Sequence, residues 1–418
     1  MSRVFPESVA LINPMADFGI DSYTHELARG LAENGVQVDV FTADASRLNV
    51  QVTQPNYRRF RVLGSRLPRV LSDTALRDGI GPDDMPTRSE GVSGPLENEL
   101  PNRQWRTRAR QYFLSGEFAL YLRNAHYDVV WTQWPDFGAY AKFWAASRWL
   151  RLPVVHTVHN ILPHERFAGD MAMCEKAYDT ARLLFVHSNP VREELAALFP
   201  SLASKVVSMP FGAYTLYPRQ AGARAQLRAE MDVPPDAVVL LCCGAIRPYK
   251  NVDACIRALA QIDREDVILV IAGSETGAPR EDPLARTRAF VHEMGVGDRV
   301  RLRPGFLDEK AMAQLFESVD VLMLPYLKSY GSGLLMLGIT FGKYIVATRS
   351  GMEESASIYP GAILLDGSGV EDVRGGIEAA LQRLAEGPRT IGRIAPEFDW
   401  TNIAGQCLDD ISRALSPT

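Results

Sequence analysis

Seven consecutive apolar residues, Ala237-Val-Val-Leu-Leu-Cys-Cys243, constrain this chain more than any other stretch. A strand with no polar alternation is buried on both faces, which is the habit of parallel sheets covered by helices. It runs into Gly244-Ala-Ile-Arg-Pro-Tyr-Lys-Asn251, and Val252 to Ala260 then reads as a helix. Gly244 at the strand exit permits a tight turn and close approach to a ligand. Arg247 offers a planar fork of donors and Lys250 a compact charge beside it. Two cations and free amides at a helix start suit a phosphate or diphosphate. The alternative is a pair of solvated surface cations. Strand, glycine and helix start together favour the anion site, and lysine is scarce here, seven against thirty-eight arginines.

The opening of the chain repeats the theme. Ser8 to Asn13 reads as a strand, Asp21 to Glu33 as an amphipathic helix, and Val36 to Phe41 as the next strand. A β-loop-α-β start predicts a parallel sheet whose ligands lie at the strand C-terminal ends. The joining loop, with Asp17 and with Gly19 at its turn, is therefore a candidate cleft loop. Alternation loosens after residue 43, and residues 78–104, rich in Gly, Pro and acidic residues, read as a mobile loop. Arg103-Gln-Trp-Arg-Thr-Arg-Ala-Arg110 interleaves arginine with tryptophan, a pattern suited to an anionic membrane or equally to a solvated helix face.

Strands at 128–132, 154–158, 183–187 and 205–209 complete a first half. Pro218, Gly222 and Pro234-Pro235 place a linker at 214–236. A second α/β array follows, with strands at 237–243, 266–272, 300–303, 321–324, 344–348 and 362–365. The predicted domains are 1–213, 237–394, and a terminal helix within 395–418. In the second array Tyr330-Gly331-Ser332-Gly333 opens an apolar helix, so its glycine amides and serine hydroxyl make a second anion candidate. Ser332 can equally be a plain N-cap. Lys343, after Gly342, reads as the end of that helix.

Composition narrows the function classes. A net charge of −5 gives no reason to expect a nucleic-acid partner. The five cysteines lack metal-ligand spacing and read as buried thiols. No apolar run approaches ~20 residues and the N-terminus lacks a hydrophobic signal, so the expected place is the cytoplasm or the cytoplasmic face of the inner membrane. His156 and His159, three apart on a strand, point to opposite faces, which argues against a zinc site with His164.

Gly244-x-x-Arg-x-x-Lys250, the Gly-rich turn before a helix ending Gly342-Lys343, and the terminal Phe398-Asp-Trp400 helix resemble the GT-B-fold glycosyltransferases. The opening, from Asn13-Pro14 to Val36–Thr42, is similar to the retaining family 4. His159-Asn-x-x-Pro-His-Glu165 with Ile246-Arg-Pro-Tyr-Lys250, Trp134-Pro-Asp-Phe137 and Leu324-Pro-Tyr326 resemble family 94, that of the β-mannosyltransferase of xanthan assembly. The resemblance implies an α/β chain of two Rossmann-like domains facing across a cleft, the C-terminal helix crossing back to the N-terminal domain. It implies a metal-independent hexosyltransferase without cofactor, using a GDP- or UDP-linked sugar as substrate, GDP-mannose favoured. The implied acceptor is a lipid-linked saccharide or polysaccharide in bacterial exopolysaccharide or glycolipid assembly, with peripheral contact at the inner membrane. His159 matches a family-4 histidine that touches the donor sugar.

Family 4 carries two glutamates seven residues apart around the Gly-rich turn, and the matching positions here are Ser329 and Leu337. Their loss favours an inverting reaction, in which a base takes the acceptor proton while cations neutralise the leaving diphosphate. Glu165 and Asp136 are the base candidates, each equally readable as a cap or surface charge, with His159 the third catalytic candidate. Gly244, Arg247, Lys250, Gly331, Ser332 and Gly333 are the diphosphate candidates. Retaining family-4 chemistry with a UDP-sugar, a nucleotide-sugar epimerase, and a non-catalytic nucleotide-sugar-binding homologue are the alternatives.

Overall fold

The computed structural model describes residues 5–15, 18–43, 46, 48, 50, 52–63, 115–135, 141–163, 169–275, 282–388, 391 and 394–416. Asp17, Asp136, His164, Glu165, the loop 78–104 and the arginine-rich 103–110 lie outside the described residues. The chain forms two compact units, Met1–Met209 with Trp400–Thr418, and Pro210–Asp399.

The first unit holds β1 (Ser8–Asn13), β2 (Gln37–Ala43), β3 (Tyr57–Leu63), β4 (Val129–Thr132), β5 (Val154–Thr157), β6 (Leu183–Val186) and β7 (Val206–Ser208). They pair in the order β3-β2-β1-β4-β5-β6-β7, every described pair parallel. The second holds β8 (Val238–Ile246), β9 (Val267–Glu275), β10 (Val300–Pro304), β11 (Val321–Leu324), β12 (Tyr344–Thr348) and β13 (Ala362–Leu365), ordered β10-β9-β8-β11-β12-β13 and again parallel. β4, β5, β6 and β11 are buried at every position, the expected state of strands covered by helices on both faces. Strand order reverses once in each sheet, between β1 and β4 and between β8 and β11. Crevices at the strand C-termini beside such reversals are where doubly wound sheets take their ligands.

Three segments depart from the sequence reading. β3 was not anticipated: Tyr-Arg-Arg-Phe-Arg-Val-Leu carries three arginines, yet Arg58 pairs with Asp39 at 2.6 Å and the nearly buried Arg59 with Asp21 at 2.9 Å. An edge strand with paired charges keeps its place without an apolar pattern. Residues 214–236 contain the helix Ala223–Glu230, whose Arg228 is buried and donates to Asp320 at 2.7 Å. Gly19 sits inside the first turn of the helix Phe18–Glu33 instead of in the loop before it.

The helix Trp400–Leu415 buries Ile403, Ala404, Cys407, Leu408 and Ile411 and packs on the helix Phe18–Glu33. Contact is close enough that a Cβ on Gly30 would stand 2.3 Å from the Trp400 carbonyl oxygen. Asn34 Nδ2 donates to the Thr401 carbonyl at 2.8 Å, and Thr401 Oγ1 to Glu33 at 2.5 Å.

Candidate functional site

In the second unit the site grows out of the end of β8. The strand does not stop at Cys243: Gly244, Ala245 and Ile246 pair with Gly273, Ser274 and Glu275 of β9. Gly244 is therefore inside the strand, at φ +87°, a backbone region open chiefly to glycine. Opposite it, a Cβ on Gly273 would lie 2.0 Å from the Gly244 carbonyl oxygen. The two glycines together let the paired strands approach this closely before Arg247.

Pro248–Lys250 then makes one 3₁₀ turn, and Asn251 takes φ +56° ahead of the helix Val252–Ala260. The turn folds Lys250 back under the loop, where it is nearly buried and donates to the Cys243 carbonyl at 2.8 Å. Its Nζ stands 2.9 Å from where a Cβ on Gly244 would be. The half-buried guanidinium of Arg247 makes no hydrogen bond or ion pair among the described residues. It lines a pocket of about 530 Å³ with Asn251, Asp253, Arg286, Thr287 and Phe290. Beside this pocket Glu275 accepts from Thr287 N at 2.7 Å and Thr287 Oγ1 at 2.5 Å.

The loop after β11 is bound to the first loop directly. Asn251 Nδ2 donates to the Pro325 carbonyl at 3.2 Å, Leu327 N to the Tyr249 carbonyl at 2.8 Å, and Lys250 Nζ lies 5.9 Å from the Tyr326 ring centre. Burial raises the Tyr326 hydroxyl well above the ordinary phenol range, and a hydrogen bond with Ser332 works against that rise. Ser332 also caps the helix Gly333–Thr340, accepting from Leu335 N at 3.3 Å. The structure thus brings Gly244, Arg247, Lys250, Gly331, Ser332 and Gly333 to the two strand ends flanking one sheet reversal. Ser332 is an N-cap, and the cap bond engages its oxygen without engaging the amides of Ser332 and Gly333.

Ser329 and Leu337 carry no carboxylate into this site. Ser329 Oγ closes its own loop, donating to the Gly331 carbonyl at 2.8 Å, and Leu337 is buried in the helix. Glu353 is tied to Arg349 at 2.7 Å. Lys343 follows Gly342 at φ +65° and is nearly buried; burial, then the nearby Arg224, lowers it to about 8.

In the first unit the corresponding edge gathers four side chains from separate segments. Gln133 follows β4, His159 lies just past β5, His187 directly follows β6, and Tyr23 comes from the helix Phe18–Glu33. His159 Nε2 is 3.3 Å from Gln133 Oε1, and His159 Nδ1 is 3.3 Å from His187 Nε2. The Tyr23 ring stands edge-on to both imidazoles, with centres 4.7 and 5.2 Å away. Burial, then His187, pushes His159 well below its ordinary range, and burial takes His187 to about 4. Both rings are neutral near pH 7. His156 goes elsewhere: its Nδ1 meets Thr132 Oγ1 at 2.8 Å and its ring stacks on Tyr178.

Beside them, Asn13 at the end of β1 donates to Asp21, which also binds Arg59 and Ser46. This buried network ties the end of β1 to the helix Phe18–Glu33. Gln133 and His187 escaped the sequence reading, and Tyr326 and Asn251 stood in its motifs without a role, since each acquires its meaning from a partner more than 25 residues distant. Among the described residues, no group of three His, Cys, Asp or Glu side chains could hold a metal ion, and no helix is long and apolar enough to cross a membrane.

Residues 18–212 match the model of the glycosyl transferase 4-like domain, and residues 237–383 that of glycosyl transferases group 1. The D-inositol 3-phosphate glycosyltransferase of Xylanimonas cellulosilytica is 25% identical, over 95% of this chain and 92% of that protein. The catalytic domain of starch synthase IV from Arabidopsis thaliana, bound to ADP and acarbose, superposes with a TM-score of 0.71 at 12% identity, covering 99% of this chain and 100% of that one. Anabaena HepE in complex with UDP and glucose superposes with a TM-score of 0.62 at 14% identity, covering 97% of each.

Proposed function

For a chain that belongs to the 4-like glycosyltransferases of GT-B fold, we propose transfer of a hexose from a nucleotide diphosphate-sugar to a hydroxyl acceptor, the diphosphate resting on the Gly244–Lys250 and Gly331–Gly333 loops. One observation carries this reading: Arg247, with no partner among the described residues, stands where two tied Gly-rich loops end their strands at a sheet reversal. Arg247 and Lys250 neutralise the diphosphate as it leaves, and the Gly331–Gly333 amides share its charge. The ADP and UDP held by the two solved proteins of the same fold support a nucleotide as the group bound here.

The acceptor oxygen attacks the anomeric carbon as the bond to the diphosphate breaks. It attacks from the face opposite the diphosphate, so the anomeric centre inverts, and its proton passes to a carboxylate, Glu165 or Asp136. His159 stays neutral and orients the sugar. Support for inversion comes from Ser329 and Leu337, which leave the family-4 carboxylate positions without charge. Mannose from GDP-mannose, a lipid-linked saccharide acceptor, and assembly of an exopolysaccharide at the inner membrane follow from the resemblance to family 94.

A second reading is the retaining family-4 reaction with a UDP-sugar; the relatives named D-inositol 3-phosphate glycosyltransferase favour a phosphorylated polyol as its acceptor. A panel of GDP-, UDP- and dTDP-sugars with lipid extracts and inositol phosphate separates the two. The first reading predicts GDP-mannose turnover onto lipid and a product of opposite anomeric configuration by NMR. UDP-sugar turnover with retained configuration would overturn it.

A further inference from the structure

Gln133 is fully buried one residue beyond β4, beside the reversal of the first sheet. Its Oε1 faces His159, while its Nε2 is buried with no hydrogen-bond partner among the described residues. Leaving two buried N–H donors unmet costs about 1–3 kcal/mol. An amide oxygen only accepts, so His159 carries its proton on Nε2, and His159 Nδ1 accepts from His187 Nε2. The amide of Gln133 is thereby fixed at one end and unsatisfied at the other. No formal charge resides on this Gln133–His159–His187 row, so a neutral hydroxyl oxygen suits the waiting donors better than a phosphate.

We propose that Gln133 is a specificity residue that donates its free amide N–H to one hydroxyl of the transferred sugar while its oxygen fixes the proton of His159. This role rests on the glycosyl transfer proposed above. It adds a sugar contact at a position where the sequence offered only a strand end.

The test uses the whole protein, its accepted donor, and the monodeoxy analogues of that donor. Gln133→Glu still accepts from His159 but has no N–H to give; Gln133→Met removes both functions at similar length. Thermal unfolding confirms that each variant folds, and nucleoside diphosphate titration confirms an intact second unit. With the full donor, both variants should lose about ten- to a hundredfold in kcat/KM. One deoxy donor should show the same loss with the wild type and no further loss with Gln133→Glu. The ¹⁵N spectrum should place the His159 proton on Nε2 in the wild type.

Folded variants with wild-type kcat/KM, or equal deoxy penalties in wild type and variants for every hydroxyl, would overturn the role of Gln133 alone. A wild-type protein that transfers no hexose from any nucleotide-sugar would overturn the function and this role together.

Discussion

Gly244→Ala tests how the proposed diphosphate loop is built. Gly244 has φ +87°, and an L-residue in the left-handed region costs about 1–2 kcal/mol. The new methyl would stand 2.9 Å from Lys250 Nζ, well inside contact distance. The ammonium is the mobile partner, so it must swing from its 2.8 Å bond to the Cys243 carbonyl and away from its position in the loop. A charge-assisted hydrogen bond contributes about 1.5–3 kcal/mol, so nucleoside diphosphate affinity should fall about 10- to 150-fold. Stability should fall less, by about 2–8 °C in thermal unfolding. Calorimetric titration with GDP and UDP, paired with a melting curve, reads both effects. Wild-type affinity in a folded variant would refute the placement of Lys250 against the ligand.

Three further outcomes follow from the first unit. Asp21→Ala leaves the nearly buried Arg59 uncompensated and should destabilise by about 3–5 kcal/mol in guanidinium unfolding, whereas an exposed ion pair would cost little. Gly30→Ala should destabilise by about 1–3 kcal/mol despite alanine's better helix propensity, because the methyl would collide with the Trp400 carbonyl; a gain in melting temperature would contradict that packing. His25 and His156 are held near 3 and His187 near 4, in each case mainly by burial, against an ordinary value of 6.5. The unfolded chain therefore binds more protons between these values, and stability is lost as pH falls from about 6.5 toward 4. The slope approaches about 1.4 kcal/mol per pH unit for each such ring, and denaturant midpoints at pH 7.5 and 5.5 that coincide would contradict it.

The sequence spoke most clearly where structure is local. β8, its glycine and the cap at Ser332 are written in runs of a few residues, and the parallel sheets follow from their repetition. The extent of β8 was less legible, because Gly244–Ile246 remains a strand only through pairing with Gly273–Glu275. β3 was illegible for the same reason: its arginines look like surface until Asp39 and Asp21 are in place. His159 could be singled out, but its state depends on Gln133 and His187, contributed by neighbouring strand ends. Such partners have no spacing to read, since the sheet order brings them together.

In the proposed transfer Arg247 stabilises the leaving diphosphate. Single-turnover transfer by Arg247→Ala at saturating donor measures that directly. The expected rate is lower by about 10²–10³-fold in a protein that still folds. Transfer at the wild-type rate would contradict it.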